Sequence, residues 1–316
     1  MRIAYSGLPK KLMRFIRKRI FPAIRDRRGE IIFTTDASTI LNAQVKASQI
    51  IYKFTSDLIG KDLAERILPS SLTFVYNGKD LSFFNFCCFP IGEDRTLIAI
   101  PAWCYSKLKG YDILHEVSEA LIYIEKRLFL HRVISIDPER LNKAFLTPII
   151  NELLHALVDS IRDGLVDWEG LKIFGIELYE QVLQYDLDGL ELDKQDTFSE
   201  ASFYLSSAVI SEISERKNLE IKVPSYEEKI FKKSKELFSK SIDQWEREQY
   251  ISAYLIALGA PVASGALSRA LNDKCCSIIQ VAKYNDASCF LSIYASGCKE
   301  EIVEHKIKEL EENLFS

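Results

Sequence analysis

Apolar positions along this chain recur with two periods, and the points where the period changes mark the elements. Arg2–Ser6 (RIAYS) is a short β-type run closed by Gly7. From Pro9 onward Leu12, Met13, Ile16 and Ile20 recur at helical spacing as far as Pro22. Pro9 suits a first helical turn, where its missing N–H has no intrahelical partner anyway. Glu30–Thr35 (EIIFTT) is rich in β-branched and aromatic residues and predicts a strand. Ile40, Ala47, Ile51, Phe54 and Leu58 then mark one face of a long helix, capped by Asp36 or Ser38 and stopped at Gly60. A short helix over Lys61–Ile67 follows. Leu72–Tyr76, the turn dipeptide Asn77-Gly78, Leu81–Phe89, a Pro-Ile-Gly-Glu-Asp turn and Arg95–Ile100 together predict a three-stranded meander. Its middle strand, SFFNFCCF, lacks polar alternation and is expected to be covered on both faces. Tyr111–Leu130 predicts a helix with Leu114, Val117, Leu121, Ile124 and Leu128 as its stripe; Glu116, Glu119, Lys126 and Arg127 fall largely outside it.

Beyond Asp137 the pattern is helical. Leu141–Ile161 reads as a helix with Pro148 at a kink or boundary, and Trp168–Asp186 as another. Leu187–Asp196 (LDGLELDKQD) is acidic and reads as a linker. Helices are expected over Phe198–Arg216 and Tyr226–Glu248, with a short strand at Leu219–Val223 between them. The mixed charges of Tyr226–Glu248 suit a solvated face. Gln249–Leu271 suggests two helical pieces broken near Gly259-Ala260-Pro261, and no membrane span is expected. Strands Cys276–Lys283 and Ser288–Ala295 flank an Asn285-Asp286 turn, before a closing helix over Glu300–Phe315. The expected class is α/β (α+β), with antiparallel sheet units near both ends and a helical middle. Three regions follow: an N-terminal α/β domain over 1–133, a mainly helical region over 134–245 with its linker near 187–197, and a C-terminal α-β-β-α unit over 246–316.

Charge changes this picture at one place. The chain of 316 residues carries a formal −4, but residues 1–28 hold ten basic side chains against the single acid Asp26. That is +9, which leaves −13 on the rest. The basic positions Lys10, Lys11, Arg14, Arg17, Lys18, Arg19, Arg25, Arg27 and Arg28 surround the Leu12–Ile20 stripe, so this is a basic amphipathic helix. Such a helix can bind an acidic protein surface, anionic lipid headgroups or nucleic acid, or dock on this chain's own acidic body. The acidic body disfavours extended contact with nucleic acid.

Reactive motifs are missing. Neither GxGxxG nor GxxxxGK[ST] follows the first strand, and GxSxG and HExxH do not occur. The seven cysteines include no CxxC and lie mostly in apolar runs, which fits buried reduced thiols in a cytosolic protein. Glu152 and His155 make one ExxH, and His115, Glu116 and Glu119 lie on the preceding helix; a di-metal carboxylate site needs a second ExxH. Those glutamates therefore read as surface residues. A Cys87–His115 or Cys104–His115 pair would need tertiary contact that sequence does not show. Asp163/Asp167 and Asp186/Asp188 read as polar loops. No catalytic residue, metal site or cofactor is expected.

Residues 30–130, through EIIFTT, the Ile40–Leu58 helix, LTFVY-NGKD-LSFFNFCCF, TLIAIPA and the Leu114–Leu128 helix, resemble the roadblock and longin group of small α/β domains. A roadblock domain has two strands before its long helix, where one is read here, and the middle and C-terminal regions have no counterpart in a minimal member. The resemblance implies a platform for small GTPases or trafficking machinery without its own catalysis. The leading expectation is thus a non-catalytic interaction or regulatory protein, cytoplasmic or peripheral to a membrane. The alternatives are an enzyme, hydrolase or metal-dependent, with an unfamiliar site, or a nucleic-acid-binding protein.

Overall fold

Strand β1 (Arg2–Ser6) pairs in parallel with β2 (Glu30–Thr34), Ile3 opposite Ile31 and Tyr5 opposite Phe33. The connection between them holds the basic segment: α1 (Lys10–Phe15), a π turn (Ile16–Ile20) and α2 (Phe21–Ile24). A crossover of that length lets two strands run in the same direction. β2 pairs in parallel with β4 (Arg95–Ala99), and β3 (Cys87–Gly92) lies antiparallel on the outer side of β4. The order β1-β2-β4-β3 is therefore a mixed sheet, mostly parallel. This corrects the antiparallel unit expected at the N-terminal end. Only the β3–β4 hairpin is antiparallel, and β3 runs on through Pro90, where a turn is expected. Periodicity fixes a strand's faces, while pairing direction depends on the connection.

The computed structural model describes residues 1–62, 87–100, 111–136, 148–271, 276–284 and 288–296. The expected strand Leu72–Tyr76, the Asn77-Gly78 turn, the Asn285-Asp286 turn and the Glu300–Phe315 helix lie outside them, as does most of the Lys61–Ile67 helix.

α3 (Ala37–Ile59) starts as expected at Asp36, whose carboxylate accepts from the Thr39 N–H at 2.8 Å, and stops at Gly60 with φ 84°. α4 (Tyr111–Lys126) ends at Arg127, which has φ 51°, and the chain continues as β5 (Leu128–Ile136). The helix expected to reach Leu130 is thus four residues shorter, because LFLHRVIS, with Phe129, Val133 and Ile134 suited to a pleated surface, finds a strand partner. That partner is β6 (Cys276–Tyr284), which also pairs with β7 (Ser288–Ser296); all three strands are antiparallel. The C-terminal hairpin is as expected, but its sheet is completed by residues that follow α4.

α5 (Pro148–Phe174) begins at Pro148 and runs unbroken past the expected gap at 162–167; the break falls at Gly175, with φ 82°, before α6 (Ile176–Asp188). After the acidic linker come α7 (Thr197–Lys217), α8 (Lys229–Glu246), α9 (Tyr250–Ala263) and the short α10 (Ala266–Ala270). Leu219–Val223 forms no strand. α9 carries Pro261 inside it, and the break comes at Gly265, with φ 84°.

α4 is the axis of the fold. It packs on β3 and β4 on one side and on α5 and α6 on the other. Ile113, Leu114, Val117, Ala120, Leu121, Ile122 and Ile124 are all buried, so its apolar surface extends beyond one stripe. Covering a helix on several sides encloses part of its polar residues, Glu116, Ser118 and Glu119 among them, which prepares the site described next.

Candidate functional site

Two concentrations of charge stand out, one exposed and one buried. The first is the α1–α2 segment. Leu12, Ile16, Ile20 and Ile24 all point into the main core. The π turn sets Ile16 and Ile20 inward while Arg17, Lys18 and Arg19 all lie outside. Lys10, Lys11, Arg14, Arg25 and Arg28 are exposed as well. Among the described residues Lys10, Lys11, Arg14, Lys18, Arg19 and Arg28 have no ion-pair partner. Arg17 lies over the Tyr5 ring, 5.7 Å from its centroid, and Arg25 pairs with its neighbour Asp26 at 3.2 Å. Arg27 alone docks on the body, 2.5 Å from Glu125 of α4. Among the described residues, docking of the basic segment on the chain's own acidic surface is thus limited to one contact.

The second concentration is a polar seam between α4 and α5. Glu116 and Glu119, expected on the surface, are 9% and 8% exposed. Asp163 and Asp167, expected in loops, lie on α5, and Asp167 is buried. The seam has tiers. In the first, His115 Nδ1 lies 2.7 Å from Asp167 Oδ1, and the buried Tyr179 hydroxyl of α6 donates to the same oxygen at 2.9 Å. Gly170 allows this approach, since a Cβ there would come within 2.2 Å of the Tyr179 ring. In the second tier Glu119 accepts from the Tyr123 hydroxyl at 2.6 Å and from Arg162 Nη1 at 3.2 Å. Arg162 also meets Asp163 at 2.5 Å and Asp159 at 3.4 Å. In the third, Lys126 lies 3.2 Å from Glu169, whose other oxygen accepts from Trp245 Nε1 at 3.0 Å.

The electrostatics follow from this crowding. Burial alone disfavours the charged imidazole of His115. Asp167, followed by Asp163 and Glu116, overrides that and holds its pKa well above the ordinary value. Asp167 thus favours the imidazolium form of His115, which suits an ion pair. Burial, and next the neighbouring Glu119, push Glu116 up to about 8. Burial and Glu119 raise Tyr123 well above the usual phenol range.

The seam also brings in Cys88 from β3. Its sulfur and one carboxylate oxygen from each of Glu116 and Glu119 all lie within 4.8 Å of one another. The sequence shows Glu116 and Glu119 three apart on a helix, but the cysteine that meets them lies in another element, and no spacing links them. Cys87 is beside it on β3, and Cys104 lies outside the described residues. Glu152 and His155 are both on α5, with side chains outside the description.

No protein-family model, curated protein or solved structure matches this chain. No helix among the described residues is long and apolar enough to cross a membrane.

Proposed function

We propose that this chain is a non-catalytic interaction or regulatory protein that docks on an acidic protein surface through the outer face of α1–α2. One observation carries this reading: eight exposed basic side chains between Lys10 and Arg28, six of them without an acidic partner among the described residues. Unpaired like charges repel one another, and an anionic partner relieves that repulsion. The apolar stripe of the segment is occupied by the core, so the partner is reached by charge and not by insertion. That supports a protein surface over a bilayer, where an amphipathic helix buries its apolar face.

The test uses the full chain and its Lys11→Glu/Arg14→Glu/Lys18→Glu/Arg19→Glu variant. Retention on immobilised poly-glutamate is compared with binding to phosphatidylcholine vesicles with and without phosphatidylserine, at low and at physiological salt. Poly-glutamate binding should fall with salt and vanish in the variant, whose circular dichroism stays unchanged. Binding only to phosphatidylserine vesicles would replace the protein partner with a membrane. Retention unaffected by salt or by charge reversal would refute the role of this face.

A further inference from the structure

Glu116 is the least accommodated polar group of the seam. It is 9% exposed, and its Oε2 atom is fully enclosed with no hydrogen-bond partner among the described residues. An enclosed carboxylate oxygen without a donor is costly, and structures normally answer it with a proton donor or a cation. A Glu116 carboxylate oxygen lies within 4.8 Å of the Cys88 sulfur and of a Glu119 oxygen, neither of which supplies a positive charge; the nearby cations, His115 and Arg162, are taken up by Asp167 and by Glu119, Asp159 and Asp163. The wider surroundings have the same imbalance. Around Glu116, the four acids Glu119, Asp159, Asp163 and Asp167 are offset by one guanidinium, Arg162, and one imidazole, His115.

We propose that Cys88, Glu116 and Glu119 form a binding site for a divalent metal ion of the zinc class. The donor set decides the class. A thiolate favours zinc over magnesium or calcium, and two carboxylates disfavour copper(I). Zinc holds thiolate sulfur at about 2.3 Å and carboxylate oxygen at about 2.0–2.2 Å, so its ligand atoms stand roughly 3.5 Å apart. The three atoms here need to draw together by about 1 Å from their 4.8 Å limit, within the reach of small χ changes in Glu and Cys side chains. Glu119 is already oriented as ligating carboxylates usually are, by the Tyr123 hydroxyl and by Arg162. The positive charge of Arg162 is offset by Asp159 and Asp163, which lessens its repulsion of an incoming ion. Three protein ligands leave the fourth tetrahedral position for water or a small anionic ligand.

The experiment uses the full chain, stripped with chelator, dialysed against excess zinc and analysed for bound metal. Cobalt(II) loading gives an independent readout, because a thiolate ligand produces a near-ultraviolet charge-transfer band. One equivalent of zinc is expected in the unsubstituted chain and in Cys104→Ser, which serves as a control for the other thiols. Glu116→Gln and Cys88→Ser should each lose the metal, and Cys88→Ser should lose the cobalt band. Glu116→Gln supplies the enclosed site with an amide that can donate, so the stripped variant should unfold at the same or higher urea concentration than the stripped parent. That guards against reading misfolding as metal loss. Sub-stoichiometric zinc in the parent, or full zinc and an unchanged cobalt band in both variants, overturns the site. Poly-glutamate retention should be indifferent to all three substitutions, so this proposal and the docking face fail separately.

Discussion

The α1–α2 face and the α4–α5 seam use the same kinds of charged residue in opposite ways. On α1–α2 the basic heads point to water and the apolar stripe alone enters the core. In the seam, charged groups are enclosed and nearly every one is met by an opposite charge or a hydroxyl: His115 by Asp167, Glu119 by Arg162 and Tyr123, Lys126 by Glu169. Exposed charges cost the fold little and remain available to a partner. Enclosed charges are tolerated only when paired, and they bind the helices into one arrangement. The contrast locates where a substitution should harm stability and where it should harm only binding.

The largest effect is expected at Asp167. Asp167→Ala strips the partner from both His115 and Tyr179, and breaking such an enclosed pair costs about 3–5 kcal/mol, readable in urea unfolding. A loss below about 1 kcal/mol would mean that water already screens the seam. Next comes Gly170→Ala, which pushes a methyl into the Tyr179 ring and should cost about 1–3 kcal/mol. A smaller loss is expected from Arg27→Ala, which removes the half-exposed contact with Glu125 and should cost about 0.2–1 kcal/mol. A much larger loss there would show that the basic segment depends on the body for its position. The smallest effect on stability is expected from the fourfold charge reversal on α1–α2, within about 0.5 kcal/mol, although its effect on anion binding should be complete. If that variant instead unfolded readily, the two regions would not differ as described.

How far the sequence could be read also divides between these regions. Leu12, Ile16 and Ile20 with lysines and arginines around them are local, so periodicity and charge counting found both the buried stripe and the exposed face. The seam escaped because Glu116 and Glu119 lie off the apolar stripe of α4, which normally means solvent. They are enclosed because β3, β4, α5 and α6 cover the helix from several sides, and those neighbours come from distant parts of the chain. The same limit explains the first sheet. Each of β1, β2 and β4 is recognisable from its own residues, but their parallel pairing depends on connections, α1–α2 between β1 and β2 and the stretch that carries α3 between β2 and β4. At β5, by contrast, the apolar stripe of α4 continues through Leu128, so helical periodicity does not separate the two elements; Arg127 at positive φ marks the true boundary.

By itself the sequence determined the presence of the long helices and the span of α7, the Asp36 and Gly60 ends of α3, the C-terminal strand pair and the basic outer face of α1–α2. These rest on the preferences of neighbouring residues, which act over a few positions. Only the tertiary structure decided the parallel strand pairing, the place of α4 at the centre, and the meeting of Cys88 with Glu116 and Glu119. Those depend on distant segments sharing one enclosed volume, where the cost of burying unpaired charge selects which side chains face one another.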